Sequence, residues 1–363
     1  MLNAAKILNS REEQTIQVNW NGFIGSAPEG KSKGSFEAKP YLTNIDDEIS
    51  KLREINLPEI NSFEDFRTVE RLSKDLGSVA RIALEFAIIQ SKTYKLFDGR
   101  KLPRQLGNVI GGGLHRENST LEFQEFLVID SKSRSFVKAA ENNMNFYNFI
   151  GEKLGAKLDN FDGGRTDEGA WSPYMNNEDV LDLLSKYSKK FGLRIGIDMA
   201  ASSFFRNNLY TYKDKELTKD EQIDYVNSLI KKYDLYYVED PLHENDFLGF
   251  SHINKRALVV GDDLTVTNMT RLKQALQLSS VNAFIVKPNQ CGSLVEVREI
   301  ADYAKGLGVV PIISHRSGET MDTSISHLAV GLEIPIIKCG IFGKEREVKI
   351  KELINIEKEI SSK

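Results

Sequence analysis

The sequence predicts an α/β protein, a (β/α) barrel behind a small N-terminal α+β unit. Three observations carry this. Short apolar runs alternate with helix-capping signals through the second half of the chain. Six of those runs end in a charged residue: Asp198, Glu239, Asp262, Lys287, His315 with Arg316, and Lys338. From Glu239 onward, successive ends lie 23 to 28 residues apart, the length of one βα unit in a parallel sheet. In a (β/α) barrel the C-terminal strand ends converge on one mouth, so these six charged ends are expected to face one another.

Taken in order, residues 5 to 27 read as strands, with Asn21-Gly22 as the hairpin signal of a small meander. Pro28 to Ser35 is a polar loop punctuated by glycine. Ser62, with Asp65 three residues on, caps a helix expected to run through Leu72. Gly77 to Leu96 reads as one helix apolar on most sides, and therefore buried. The boundary is expected near Gly99–Pro103, dividing the chain into 1–98 and 99–363. Val109 to His115 is a glycine-rich loop, Phe123 to Ile129 a strand with Glu125 inside it, and Thr166 to Trp171 a short acidic stretch. By themselves these acidic residues read as incidental. Thr218 with Glu221, Asn268, and Ser293 with Glu296 open the later helices, and Gly306 and Gly308 close one. The Lys-rich tail reads as an amphipathic closing helix.

Composition narrows the function. A net charge of −4 over 363 residues, with no basic stripe, excludes a nucleic-acid binder. Two cysteines give no disulfide framework and suit a reducing cytoplasm, and there is no zinc-type spacing. No apolar run is long enough to span a membrane, and the first residues hold no apolar core of the length expected of a signal peptide.

Asp198, Glu239 and Asp262 offer hard oxygen ligands without sulfur or imidazole, a set that suits Mg²⁺. Asp240 and Asp263 follow two of them directly, and alternation along a strand allows one of each pair to point inward. Lys287 and Lys338 would lie opposite, and a lysine beside a divalent cation is expected to lose basicity and serve as a general base. His315, Arg316 and Ser317 suit an anionic oxygen group, phosphate above all. Carboxylate-bound Mg²⁺ with a lysine base fits proton abstraction beside a carboxylate, through an enediolate.

At these residues the sequence resembles enolase. Gly261 to Asn268, Val286 to Ser293, Ser314 to Asp322 and Ile337 to Gly340 are similar to the family's third metal-ligand segment, catalytic lysine segment, signature and second lysine segment. Asp198 to Ser202, Val238 to Pro241, Phe123 to Phe126 and Asp167 to Gly169 match the first two ligand segments and the two glutamate segments. A lysine base with Mg²⁺ is the known pattern of that superfamily. The resemblance implies a (β/α)8 TIM-like barrel of the enolase type, ββαα(βα)6, with an N-terminal α+β cap. It implies reversible dehydration of 2-phosphoglycerate to phosphoenolpyruvate with two Mg²⁺ per site, in a cytoplasmic homodimer or higher homo-oligomer. Lys287 would be the base, and Glu168 the acid with Glu125 beside it. Lys338 would hold the substrate carboxylate. His315, Arg316 and Ser317 would bind phosphate or its surroundings, and His115 would enter on a loop. Ser32 would help bind the second Mg²⁺. Two other readings use the same residues: a superfamily enzyme with another carboxylate substrate, and a paralogue kept for binding or assembly. The complete set of acid, base and metal ligands favours dehydration.

Overall fold

A computed structural model describes residues 2–31, 36–115, 119–159 and 161–362. The chain opens with an antiparallel meander of β1 (Leu2–Leu8), β2 (Gln14–Trp20) and β3 (Phe23–Ser26). The β2–β3 turn falls on Asn21-Gly22, both with positive φ, as that dipeptide favours. Helices α1 (Ile45–Glu54), α2 (Phe66–Leu72) and α3 (Ser78–Lys92) follow. The helix expected from Ser62 begins with a 3₁₀ turn, Phe63–Asp65, where the Asp65 carboxylate accepts the Ser62 N–H at 2.9 Å. The long helix expected to reach Leu96 stops at Lys92. Thr93 takes a φ of +60°, and the last turn continues as 3₁₀.

Eight strands then close into a barrel. They are β4 (Arg104–Gly111), β5 (Glu125–Asp130), β6 (Leu193–Asp198) and, after a small sheet of β7 (Phe205–Arg206), β8 (Leu209–Thr211) and β9 (Glu216–Leu217), β10 (Tyr237–Glu239), β11 (Leu258–Gly261), β12 (Ala283–Val286), β13 (Val310–Ser314) and β14 (Ile336–Lys338). β5 runs antiparallel to both β4 and β6, and every other neighbouring pair in the barrel is parallel. Two helices, α4 (Phe136–Lys157) and α5 (Asn177–Ser188), stand between β5 and β6, giving the ββαα start. The small sheet accounts for the long step from Asp198 to Glu239.

The later helices are α6 (Lys219–Tyr233), α7 (Phe247–Ser251), α8 (Met269–Gln277), α9 (Pro288–Cys291), α10 (Leu294–Gly306), α11 (Ser324–Gly331) and α12 (Lys344–Ser361). Leu106, Leu127, Ile129, Val260, Ile285 and Ile312 fill the barrel. A second apolar cluster joins β1 and β2 and helix α3 to α10, α11 and α12, so the N-terminal layer and one flank of the barrel share a core. Glu85 and Glu70 reinforce this junction. They accept the N–H groups of Leu294 and Val295, at 3.0 and 3.3 Å, and so cap α10 from the other layer. No described helix is long and apolar enough to cross a membrane.

Candidate active site

The C-terminal ends of the parallel strands and the N-terminal end of the reversed strand β5 meet in one cleft. It is lined by Glu125, Asp198, Asp262, Lys287 and Lys338 on the floor, by His115 and Glu168 on one side, and by Ser314 to Ser317 at the rim. The reason is local: β5, β6, β10 and β14 each present their charged residue at the same level, Glu125 beside Asp198, and Asp198 beside Glu239.

Lys338 sits in the middle of the floor. Its Nζ lies 2.6 Å from Glu125, 2.7 Å from Asp198 and 2.7 Å from Glu239. Burial opposes its charge, but the three carboxylates hold the ammonium well above the ordinary lysine range. Lys287 pairs with Asp262. Without a cation in the site, the pairing overcomes burial and raises Lys287. The lowered basicity expected from sequence belongs to a lysine beside a bound divalent cation.

Glu239 is fully buried, and burial and then the Asp198 charge push it well up. Tyr237 donates to its Oε2, and its Oε1 has no hydrogen-bond partner among the described residues. Asp240 is used differently. Its two oxygens accept the backbone N–H groups of Asp262 and Asp263, at 3.0 and 2.7 Å, and so tie the ends of β10 and β11 together.

These carboxylates fit a divalent cation. Glu125, Asp198 and Glu239 offer oxygen atoms within 4.8 Å of one another, and Asp240, Asp262 and Asp263 form a second such group. The donors are hard, buried and carry an unpartnered oxygen, a chemistry for Mg²⁺. Asp262 does not share the tight group with Asp198 and Glu239; it faces Lys287 and accepts from Gln290 at 3.4 Å.

Glu168 comes from the tip of a tight loop in which Thr166 N–H bonds to Ala170 at 2.9 Å and Gly169 N–H to Thr166 at 3.0 Å. Gly169 has φ +83°, and a Cβ there would meet the Phe342 carbonyl at 2.4 Å. His115 Nε2 is 3.7 Å and His315 Nε2 3.8 Å from the Glu168 carboxylate. Burial raises Glu168, but His115, His315 and Arg346 outweigh it and hold the group below the usual carboxylate range. Glu125 goes the other way, pushed up to about 8 by burial. The two carboxyls are neighbours, with oxygens within 4.8 Å of one another. Burial pushes His315 down to about 3, whereas the charges of Glu168 and Asp167 overcome burial and lift His115 to about 9.

At the rim, Arg316 donates to Asn289 at 2.9 Å and is clasped by Glu37 at 3.1 and 3.2 Å. Ser317 Oγ accepts the Lys31 N–H at 2.8 Å. The loop bearing Glu29 to Lys31 is laced to this rim by paired Glu29–Gly318 backbone bonds, both 2.9 Å. A side chain at Gly30 would strike the Arg316 guanidinium at 2.0 Å. Ser32 lies outside the described residues. Every other candidate of the sequence lines the cleft or, like Glu239, contacts a side chain that does. Glu37, Asp167, Gln124 and Gln290 are additions. No single-sequence signal separates Glu37 from other loop carboxylates. Asp167, by contrast, stood next to Glu168 in a stretch already singled out.

Comparison with known proteins agrees with this geometry. The family model described as the enolase C-terminal TIM barrel domain matches residues 100–363. An enolase of Methanosphaera stadtmanae is 35% identical, over 98% of this chain and 95% of its own. One from Picrophilus torridus is 36% identical, over 99% and 98%, and one from Methanothermobacter thermautotrophicus 34%, over 98% and 95%. The chain belongs to the enolase family.

Proposed function

We propose that the chain catalyses the reversible, Mg²⁺-dependent dehydration of 2-phosphoglycerate to phosphoenolpyruvate. The observation that carries the reading is the floor of the cleft, where two lysines and the carboxylates of four strand ends lie below a phosphate-suited rim. Asp198, Glu239 and Asp262 are the residues that would hold Mg²⁺. Held by them, a divalent ion would offset the carboxylate charges and would supply stabilisation for the charge that develops on the substrate carboxylate.

In this reading Lys287 takes the proton from the carbon beside the carboxylate, and Lys338 steadies that carboxylate. Glu168, with Glu125 beside it, gives the departing hydroxyl the proton with which it leaves as water, a role that requires Glu168 to be protonated in the substrate complex. His315, Arg316 and Ser317 hold the phosphate, and His115 closes the side of the cleft. Ser32 is assigned to a second Mg²⁺ on the strength of the family resemblance. We take 1–98 as the cap and 99–363 as the barrel, since β4 begins at Arg104. A cytoplasmic homo-oligomer is the accompanying reading. Two cysteines outside any disulfide support the compartment, and exposed Leu8, Phe23, Ile24 and Met321 support association.

The test is ultraviolet absorbance of the purified protein with 2-phosphoglycerate. A rise from phosphoenolpyruvate that needs Mg²⁺ and stops with EDTA is the expected result. A folded protein that binds Mg²⁺ and gives no rise contradicts the reading.

A further inference from the structure

A chain of charged contacts runs from the N-terminal meander into the cleft. Arg11, in the β1–β2 turn, places Nη1 2.8 Å from Asp167 Oδ2. The other oxygen, Asp167 Oδ1, is 2.7 Å from His115 Nδ1. The far nitrogen of that ring, Nε2, is the one 3.7 Å from Glu168. Each Asp167 oxygen thus has its own partner, and the carboxylate cannot rotate without losing both.

The turn that carries Arg11 is itself fixed. Ser10 donates its backbone N–H to the Glu319 carbonyl at 2.7 Å. Its hydroxyl bonds to the Ser317 carbonyl at 3.1 Å and accepts from Arg346 at 3.3 Å. His115, on the other hand, sits at the end of a one-turn 3₁₀ segment, Gly113–His115. Its backbone carbonyl accepts from Asp167 N–H only at 3.4 Å. The imidazole therefore takes its orientation from Asp167, as second partners commonly orient a histidine. The ionisable groups facing the ring are Asp167, Glu168 and Glu125.

We propose that Arg11 is a positioning residue for the reaction: through Asp167 it fixes the His115 ring against Glu168, so that the N-terminal layer completes the catalytic site. This deepens the dehydration reading and rests on it. Arg11 touches no reacting atom in this account. Its effect passes entirely through Asp167, and that makes the inference testable by a double-mutant cycle.

The experiment compares the full chain with Arg11→Met, Arg11→Lys, Asp167→Asn and the Arg11→Met/Asp167→Asn double variant. kcat and KM for 2-phosphoglycerate are measured at saturating Mg²⁺, with melting temperature as a check on folding. Arg11→Met and Asp167→Asn are each expected to lower kcat about 10- to 100-fold, as misplaced catalytic groups do, with KM moving far less. The double variant should be no slower than Asp167→Asn alone, and Arg11→Lys should recover much of the loss. Additive losses overturn the proposal, as does a kcat for Arg11→Met equal to that of the unaltered chain.

A second readout does not need turnover. The chain has five histidines, so its imidazole N–H signals are few enough to assign by nuclear magnetic resonance. The His115 Nδ1–H should appear as a downfield, slowly exchanging proton. It should disappear in Asp167→Asn, exchange faster in Arg11→Met and persist in Arg11→Lys. A signal unchanged in Arg11→Met overturns the proposal. If the unaltered chain fails to dehydrate 2-phosphoglycerate, the functional reading fails, and this signal still decides whether Arg11 orders His115.

Discussion

On the floor of the cleft, Lys338 and Lys287 are held by Glu125, Asp198, Glu239 and Asp262, all delivered by adjacent strand ends. At the rim, Arg316 and Ser317 are held by Glu37 and Lys31, which arrive from a loop of the N-terminal layer nearly three hundred residues away in sequence. The floor is thus fixed by the hydrogen-bonded barrel, while the rim is assembled by docking one layer on another. On the proposed reading, chemistry belongs to the floor and substrate capture to the rim. Floor substitutions should strike turnover, and rim substitutions should strike substrate affinity.

The sharpest way to break that division is at Lys287. Lys287→Ala should lower kcat by about 10⁴-fold, the upper end of what a general base supplies, with Mg²⁺ binding largely kept. Substantial turnover would remove Lys287 from the base role. Next is Lys338→Met, which leaves three buried carboxylates without their cation. In EDTA it should cost about 3 to 5 kcal/mol of stability, much of it recovered on adding Mg²⁺. Denaturant melts with and without the ion would measure this, and an equal loss in both would make Lys338 merely structural. At the rim, Arg316→Ala removes charge-assisted hydrogen bonds worth about 1.5 to 3 kcal/mol, so KM should rise about 10- to 100-fold with kcat little changed. A fall confined to kcat would join rim to floor. The smallest effect is expected for Glu37→Gln. It keeps an acceptor oxygen but removes the charge from the buried clasp on Arg316, and the difference between a charged and a neutral hydrogen bond, about 1 kcal/mol, should shift KM by a factor of about 5 or less. No shift would show that Glu37 does not compete for the arginine.

The two regions also differ in how much of them can be read from sequence. The floor was legible because strand-end charges recur at βα spacing, except for Glu125, which by itself read as incidental and entered only with the family resemblance. The rim was legible only in part. His315, Arg316 and Ser317 stand together in the chain, but Glu37 and Arg11 reach the site through tertiary docking, and a charge in a loop has no period to mark it. The fold shows the same limit. The barrel followed from repeat length, whereas the reversed direction of β5 came only with the family resemblance. Thr93 ends its helix at a positive φ that its apolar surroundings did not announce.

The most direct test of the chemistry proposed for the cleft is hydrogen exchange at carbon 2 of 2-phosphoglycerate in D₂O with Mg²⁺, followed by nuclear magnetic resonance in Lys287→Ala and Glu168→Gln. With Lys287 as base and Glu168 on the acid side, Lys287→Ala should abolish both exchange and dehydration. Glu168→Gln should lose dehydration and keep exchange. Exchange that persists in Lys287→Ala, or that vanishes in Glu168→Gln while its substrate binding is intact, would contradict the account.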